Sequence, residues 1–183
     1  NDLTSNTRTA LLQWVNCDIN PDFVRRIATL ADGRIVAHLQ EDDGIGELAV
    51  VAEVPRDQAA EKEVITLGIL QAGNSHLSRC ISQFNRNSPD CRIEVREYYD
   101  ANLDSGQPDA TEEARTALHM DISSGQCPDL LVLEYDDLET YAAKGLLEDL
   151  APYLEADGSL ELADNVLEAY TFHGKLCALP GAL

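Results

Sequence analysis

Apolar and polar positions alternate along the first part of the chain and then change period near residue 64. Four stretches before that point, ALLQWVN, VRRIATL, RIVAHLQ and ELAVVAEV, carry period-two alternation and are separated by DINPDF, ADG and EDDGIG. Each has strand length, so the pattern predicts four short antiparallel strands in a meander over residues 1–55. Asp32-Gly33 marks a tight hairpin between the second and third strands, because glycine accepts the positive φ that such a turn demands. A meander of this size matches one blade of a β-propeller or a small sheet, and no second copy follows it. The charged segment PRDQAAEKE (Pro55 to Glu63) lacks large apolar residues and reads as a linker over 56–63 or a short exposed helical turn.

From Val64 onward strands and helices take turns. VITLGIL, RIEVREYY and DLLVLE are apolar strands, and HLSRCISQFNRN, TEEARTALHMDISS and LETYAAK are the helices between and after them. Parallel strands need crossover connections, so a βαβαβ unit with a mainly parallel sheet is expected over 64–183. The predicted fold class is therefore mixed α+β and α/β, an antiparallel meander followed by a mainly parallel sheet.

Helix ends are marked as well. Asp109 with Glu112 forms a potential capping box, Gly125 and Gly145 suit left-handed stops, and Pro89 and Pro128 prevent continuation. Ala114, Ala117, Leu118, Asp121 and Ile122 share one stripe of the second helix, and Cys80 shares a stripe with Leu77, Ile81 and Phe84. That placement reads Cys80 as a small buried hydrophobe. The tail predicts helices around Asp149 to Leu154 and Leu160 to Tyr170, a turn at His173-Gly174-Lys175, and a further strand at LCALP.

Charge narrows the possible partners. The 183 residues hold 13 basic and 33 acidic side chains, a formal net charge of −20 with no local basic cluster. Such a surface repels phosphate backbones and anionic lipid headgroups, which argues against nucleic-acid and membrane-surface partners. No apolar run approaches the roughly 20 residues of a membrane helix, and the polar opening Asn1 to Asn6 reads as a mature or trimmed terminus. Five scattered cysteines, an odd number without a CxxC pair, indicate neither a disulfide framework nor a zinc site.

Ligands of open parallel sheets collect beyond the carboxyl ends of the strands. Three turns fall there: Gln71-Ala72-Gly73-Asn74, Tyr98 to Asp104, and Glu134 to Asp137. Their amides, carboxylates and tyrosines suit a polyhydroxylated ligand. For single residues helix capping competes with ligand contact: Asp136 or Asp137, and Asn74 or Ser75, are natural N-caps. Glu134 and Asp136 offer the two carboxylates a glycosidase would need, but with 33 acidic residues in the chain such pairs abound by chance, and no catalytic role is expected. No nucleophile elbow or phosphate-binding glycine loop occurs, and His38, His76, His119 and His173 are scattered. Asp18 to Asp22 copies the start of a calcium loop, but Phe23 and Thr29 stand where its glycine and its glutamate belong, so a turn cap is expected.

The succession ITLGIL, FNRNSPDCRIEV, ARTALHMDISSGQCPDLLVL, YAAKGLLEDLAPYL and HGKLCALP resembles the extracellular solute-binding proteins of ABC importers, family 1, which bind many sugars and oligosaccharides. The resemblance covers about two thirds of the chain. It implies an incomplete, periplasmic-binding-protein-like N-terminal lobe over 64–183, and the residues before it lie outside the usual family fold.

It further implies Gln71, Gly73, Asn74, Glu134, Tyr135 and Asp136 at the cleft rim with Tyr141 just beyond. The implied function is non-catalytic binding of a small polar solute, a sugar or oligosaccharide, without a cofactor. The implied partner is a transporter permease, with an extracellular, cell-surface location and a lipid anchor in the full-length protein. Because lobes of this family close over their ligand, the chain is expected to be part of a longer protein in which β-repeats precede the binding domain. The alternative is an interaction module in which the β unit pairs with sister blades or a partner chain.

Overall fold

The computed structural model describes residues 11–40, 44, 46–55, 62–70, 75–98, 110–158 and 161–180. The chain divides into two compact units, Asn1–Val132 and Leu133–Leu183.

In the first unit an antiparallel sheet comprises β1 (Val24–Thr29), β2 (Ile35–Gln40) and β3 (Gly46–Val51) in the order β1-β2-β3. Three of the four expected strands form. The loop between β1 and β2 closes as anticipated: Gly33 takes φ 89°, its N–H donates to the Leu30 carbonyl, and the Asp32 carboxylate accepts from Arg34 N–H at 3.1 Å.

The remaining stretch, ALLQWVN, is not a strand; among its described residues only a 3-10 turn at Val15–Cys17 is regular, ending at Asp18 with φ 60°. Its apolar side chains serve two different cores. Val15 packs with Leu67, Ile81 and Val95, whereas Trp14, Cys17 and Ile19 pack against Ala37 and Leu39 of β2. The next turn is capped as expected, with the Asn20 side chain accepting from Asp22 N–H.

A parallel sheet follows, made of β4 (Glu63–Ile69), β5 (Cys91–Glu97) and β6 (Leu130–Val132) in the order β5-β4-β6. Helix α1 (Ser75–Asn87) connects β4 to β5, and α2 (Ala110–Ser124) connects β5 to β6. The fold is thus α+β, an antiparallel three-stranded sheet plus a parallel three-stranded sheet with helices.

Residues 56–61 of the expected linker, Asp109 of the expected capping box, and Ser159 and Leu160 in the tail lie outside the described residues. Of the linker's last two residues, Glu63 already belongs to β4, and the Lys62 ammonium donates to the carbonyls of Asn85 and Ser88 at 2.9 and 2.8 Å.

Helix α1 turns Leu77, Ile81 and the 1% exposed Asn85 inward, and Cys80, one position off that stripe, is exposed. The expected burial of Cys80 is therefore corrected: a step of about 100° around the helix separates it from Ile81 and carries it out of the core. All five cysteines are free thiols. Helix α2 buries Ala114 and Leu118, leaves Ala117 exposed, and is fastened to β5 by Asp121, whose carboxylate accepts from Arg96 at 2.9 Å and from the Tyr98 hydroxyl at 2.7 Å.

Two asparagine side chains close the outer edge of β5. Asn16 Nδ2 donates to the Val95 carbonyl at 3.0 Å while its Oδ1 accepts from Val95 N–H at 2.8 Å. Asn85 does the same for Ile93, at 2.9 and 2.7 Å. Each amide thus supplies the donor and the acceptor that a neighbouring strand would have offered.

The second unit contains α3 (Tyr135–Ala143), α4 (Ala151–Asp157), α5 (Asp164–Ala169) and a short hairpin of β7 (Thr171–Phe172) and β8 (Lys175–Leu176). His173 and Gly174 turn the hairpin with φ 51° and 79°. Strand β8 is held to the start of α4 by Leu150 N–H on the Leu176 carbonyl and by the Asp149 carboxylate accepting from Leu176 N–H. The strand expected at LCALP stops at Leu176, and residues 177–180 have no regular structure.

Candidate functional site

Of the three turns expected to form a site, one is fully described. Gln71, Gly73 and Asn74 lie outside the described residues, as does the second turn beyond Tyr98. Tyr98 is committed to the fold by its bond to Asp121. Burial first, and the carboxylate it donates to second, push its phenol above the usual tyrosine range.

The third turn is the N-terminus of α3, and its local geometry settles the competition between capping and exposure. The N-cap is Glu134, which is extended at φ −75°, ψ 159° and makes no side-chain capping bond. Asp136 and Asp137 are not N-caps but stand inside the first turn, where negative charge is favoured by the unpaired N–H groups of the helix start. Glu134, Tyr135 and Asp136 are consecutive and exposed, so two carboxylates and one ring are presented together.

Tyr135 is 56% exposed yet its ring is held. Tyr170 approaches edge-on with centroids 6.4 Å apart and planes at 71°, and Phe172 lies tilted at 6.3 Å and 52°. Both are geometries in which ring edges meet ring faces favourably. The Tyr135 hydroxyl lies 3.5 Å from the Ala169 carbonyl. Tyr170 and Phe172 flank the end of α5 and the start of the hairpin and were not singled out from the sequence. The alternating YTF before His173-Gly174 was the available signal, but nothing local shows which ring it meets.

Tyr141 is only 3% exposed and Leu138 likewise 3%, so both occupy the inward stripe of α3 and Tyr141 is not presented beside Tyr135. Chemically, the exposed carboxylates accept hydrogen bonds from hydroxyl groups, and the ring offers an apolar face. Elsewhere, His76 contacts Arg79 at 3.0 Å and the Cys80 thiol at 3.7 Å. Among the described residues no group of three or more His, Cys, Asp or Glu is placed to hold a metal ion, and no helix is long and apolar enough to cross a membrane.

No protein-family model and no curated protein matches the chain. Solved structures do. An ABC substrate-binding protein from Listeria monocytogenes, in complex with cycloalternan, is 26% identical with a TM-score of 0.49 over 62% of this chain and 27% of its own. The maltotriose-binding protein of Thermus thermophilus, bound with maltotriose, is 28% identical with a TM-score of 0.46 over 63% and 28%. A galacto-N-biose/lacto-N-biose I-binding protein of an ABC transporter from Bifidobacterium longum, in complex with lacto-N-biose, is 22% identical with a TM-score of 0.45 over 64% and 28%. The chain is thus similar to part of each of these proteins, and spans between a quarter and a third of their length.

Proposed function

We propose that the chain is part of a non-catalytic, extracellular solute-binding protein serving an ABC importer, and that Glu134, Tyr135 and Asp136 take one side of a carbohydrate ligand. The carrying observation is the exposed start of α3. Two side-chain carboxylates there stay free of capping duty or face solvent, and the ring between them is braced by two others. Sugars present hydroxyls to carboxylates and apolar C–H faces to rings, which fits this trio. The same reading keeps Gln71, Gly73 and Asn74 as rim residues and leaves Tyr141 a supporting place beneath the helix. The permease partner, the location and the lipid anchor belong to the whole protein and form part of the same proposal.

The test is thermal unfolding of the protein as its organism makes it, with and without maltotriose, lacto-N-biose and cycloalternan. Ligand at about a hundred times its Kd stabilises the bound state by about 2.7 kcal/mol. At least one sugar is expected to raise Tm, and Asp136→Ala with Tyr135→Ala is expected to abolish the rise. A Tm unmoved by every sugar would overturn the proposal.

A further inference from the structure

The outer edge of β5 is closed by Asn16 and Asn85, whereas among the described residues no strand pairs with the second edge of β1, β3 or β6, and of these β3 borders a groove. An open groove of about 720 Å³ runs there, lined by Glu47 to Ala52 together with Val54, the Asn16 to Ile19 turn and Arg86. Alternate residues of an edge strand turn their N–H and C=O groups outward, and those groups template pairing with another strand.

The side chains add a second observation. Ala49 and Val51 face the core of the antiparallel sheet, while Leu48 and Val50, on the opposite face, are 70% and 54% exposed. Arg86 also lines the groove. Its Nε donates to the Asp18 carbonyl at 3.0 Å, and no carboxylate among the described residues pairs with it.

We propose that the occupant of this edge is β3 of a second copy of the chain, paired antiparallel about a two-fold axis at Ala49. In that register Leu48 stands opposite Val50 of the copy, and Val50 opposite its Leu48, so each exposed side chain gains an apolar cross-strand neighbour. Glu47 falls opposite Val51, so no like charges meet directly, whereas a register centred on Glu47 would set Glu47 against itself and one centred on Val50 would set it against Glu53. Glu47 shares the inward parity of Ala49 and Val51, so the copy brings one carboxylate to the side where Arg86 waits. The product is one continuous sheet built from two three-stranded halves.

The net charge of −20 on each copy opposes this pairing, so salt strengthens it. Sedimentation equilibrium of the chain over roughly a hundredfold concentration range, at low and high NaCl, is expected to show monomer and dimer with more dimer at high salt. Leu48→Lys is expected to weaken association roughly tenfold or more, and Met120→Lys, at a 67% exposed position on α2, to leave it unchanged. A single monomeric mass throughout, or equal association of the two variants, would overturn the proposal. Should Leu48→Lys lose its fold by circular dichroism, a mixed isotope-labelled sample decides instead. An intermolecular contact between the Ala49 Hα atoms supports the two-fold register, and its absence refutes it.

Discussion

Asp129 holds the parallel sheet together at its shortest strand. Its carboxylate accepts from Thr66 N–H at 2.8 Å and from the Thr66 hydroxyl at 2.6 Å, extending the β4–β6 pairing one position before β6 begins. The Thr66 hydroxyl bond, and then its N–H bond, hold this carboxyl below its usual range. A carboxyl depressed in the folded state stabilises the fold above its unfolded value near 3.9 and loses that contribution as pH falls through the lower folded value. Asp129→Asn is therefore expected to flatten the acid limb of stability below about pH 4, as read by urea midpoints across a pH series. An unchanged acid limb would show the bond to be screened away by solvent. The turn residues Gly33, Gly125 and Gly174 were legible in the sequence because φ is a local property, and each has positive φ in the structure. Asn16 and Asn85 were not, because an amide that completes a strand edge across 79 or 8 residues looks like any polar residue in its own neighbourhood.

Among elements, β4 and β6 are packed through Gly68. A Cβ there would meet Pro128 Cγ at 2.8 Å and Leu131 Cδ2 at 3.0 Å, and Pro128 is itself buried with little room to retreat. Gly68→Ala is expected to cost about 1–3 kcal/mol in chemical denaturation, the range of an overpacked core position. Wild-type stability in this variant would mean that the Pro128 ring can slide aside. Alternation and period identified β1 to β5 and α1 to α3 because their apolar and polar positions recur at strand or helix spacing, even in β1, which is exposed beyond Val24. The stretch from Ala10 to Asn16 broke that logic: its alternation is real, but its apolar residues serve two cores, and a chain that serves both must turn between them. The stripe of α1 was read one position out for the same kind of reason. Its inward face is centred on Asn85, a polar residue that no hydrophobic pattern counts.

At the scale of the molecule, the meander and the parallel sheet share the unit Asn1–Val132, joined by the residues that were expected to form a strand. Asn16→Ala removes both bonds to Val95 and is expected to cost about 1–3 kcal/mol. Because Val15 and Ile19 sit in the two cores on either side of Asn16, amide exchange should accelerate in β2 and β5 together. Acceleration in β5 alone would mean that the sheets open independently. That the Asn16 turn ties the meander to the parallel sheet was not legible in the sequence, since the bonds to Val95 run through a side chain and the packing on β2 through Ile19.

The order of synthesis gives the closed edge of β5 one more meaning. Asn16 and Asn85 both precede Cys91–Glu97 in the chain, so on a ribosome both amides emerge before the strand they seal. Both covers of strand β5 are therefore available when it appears, which favours early sealing of its edge against a neighbouring nascent chain.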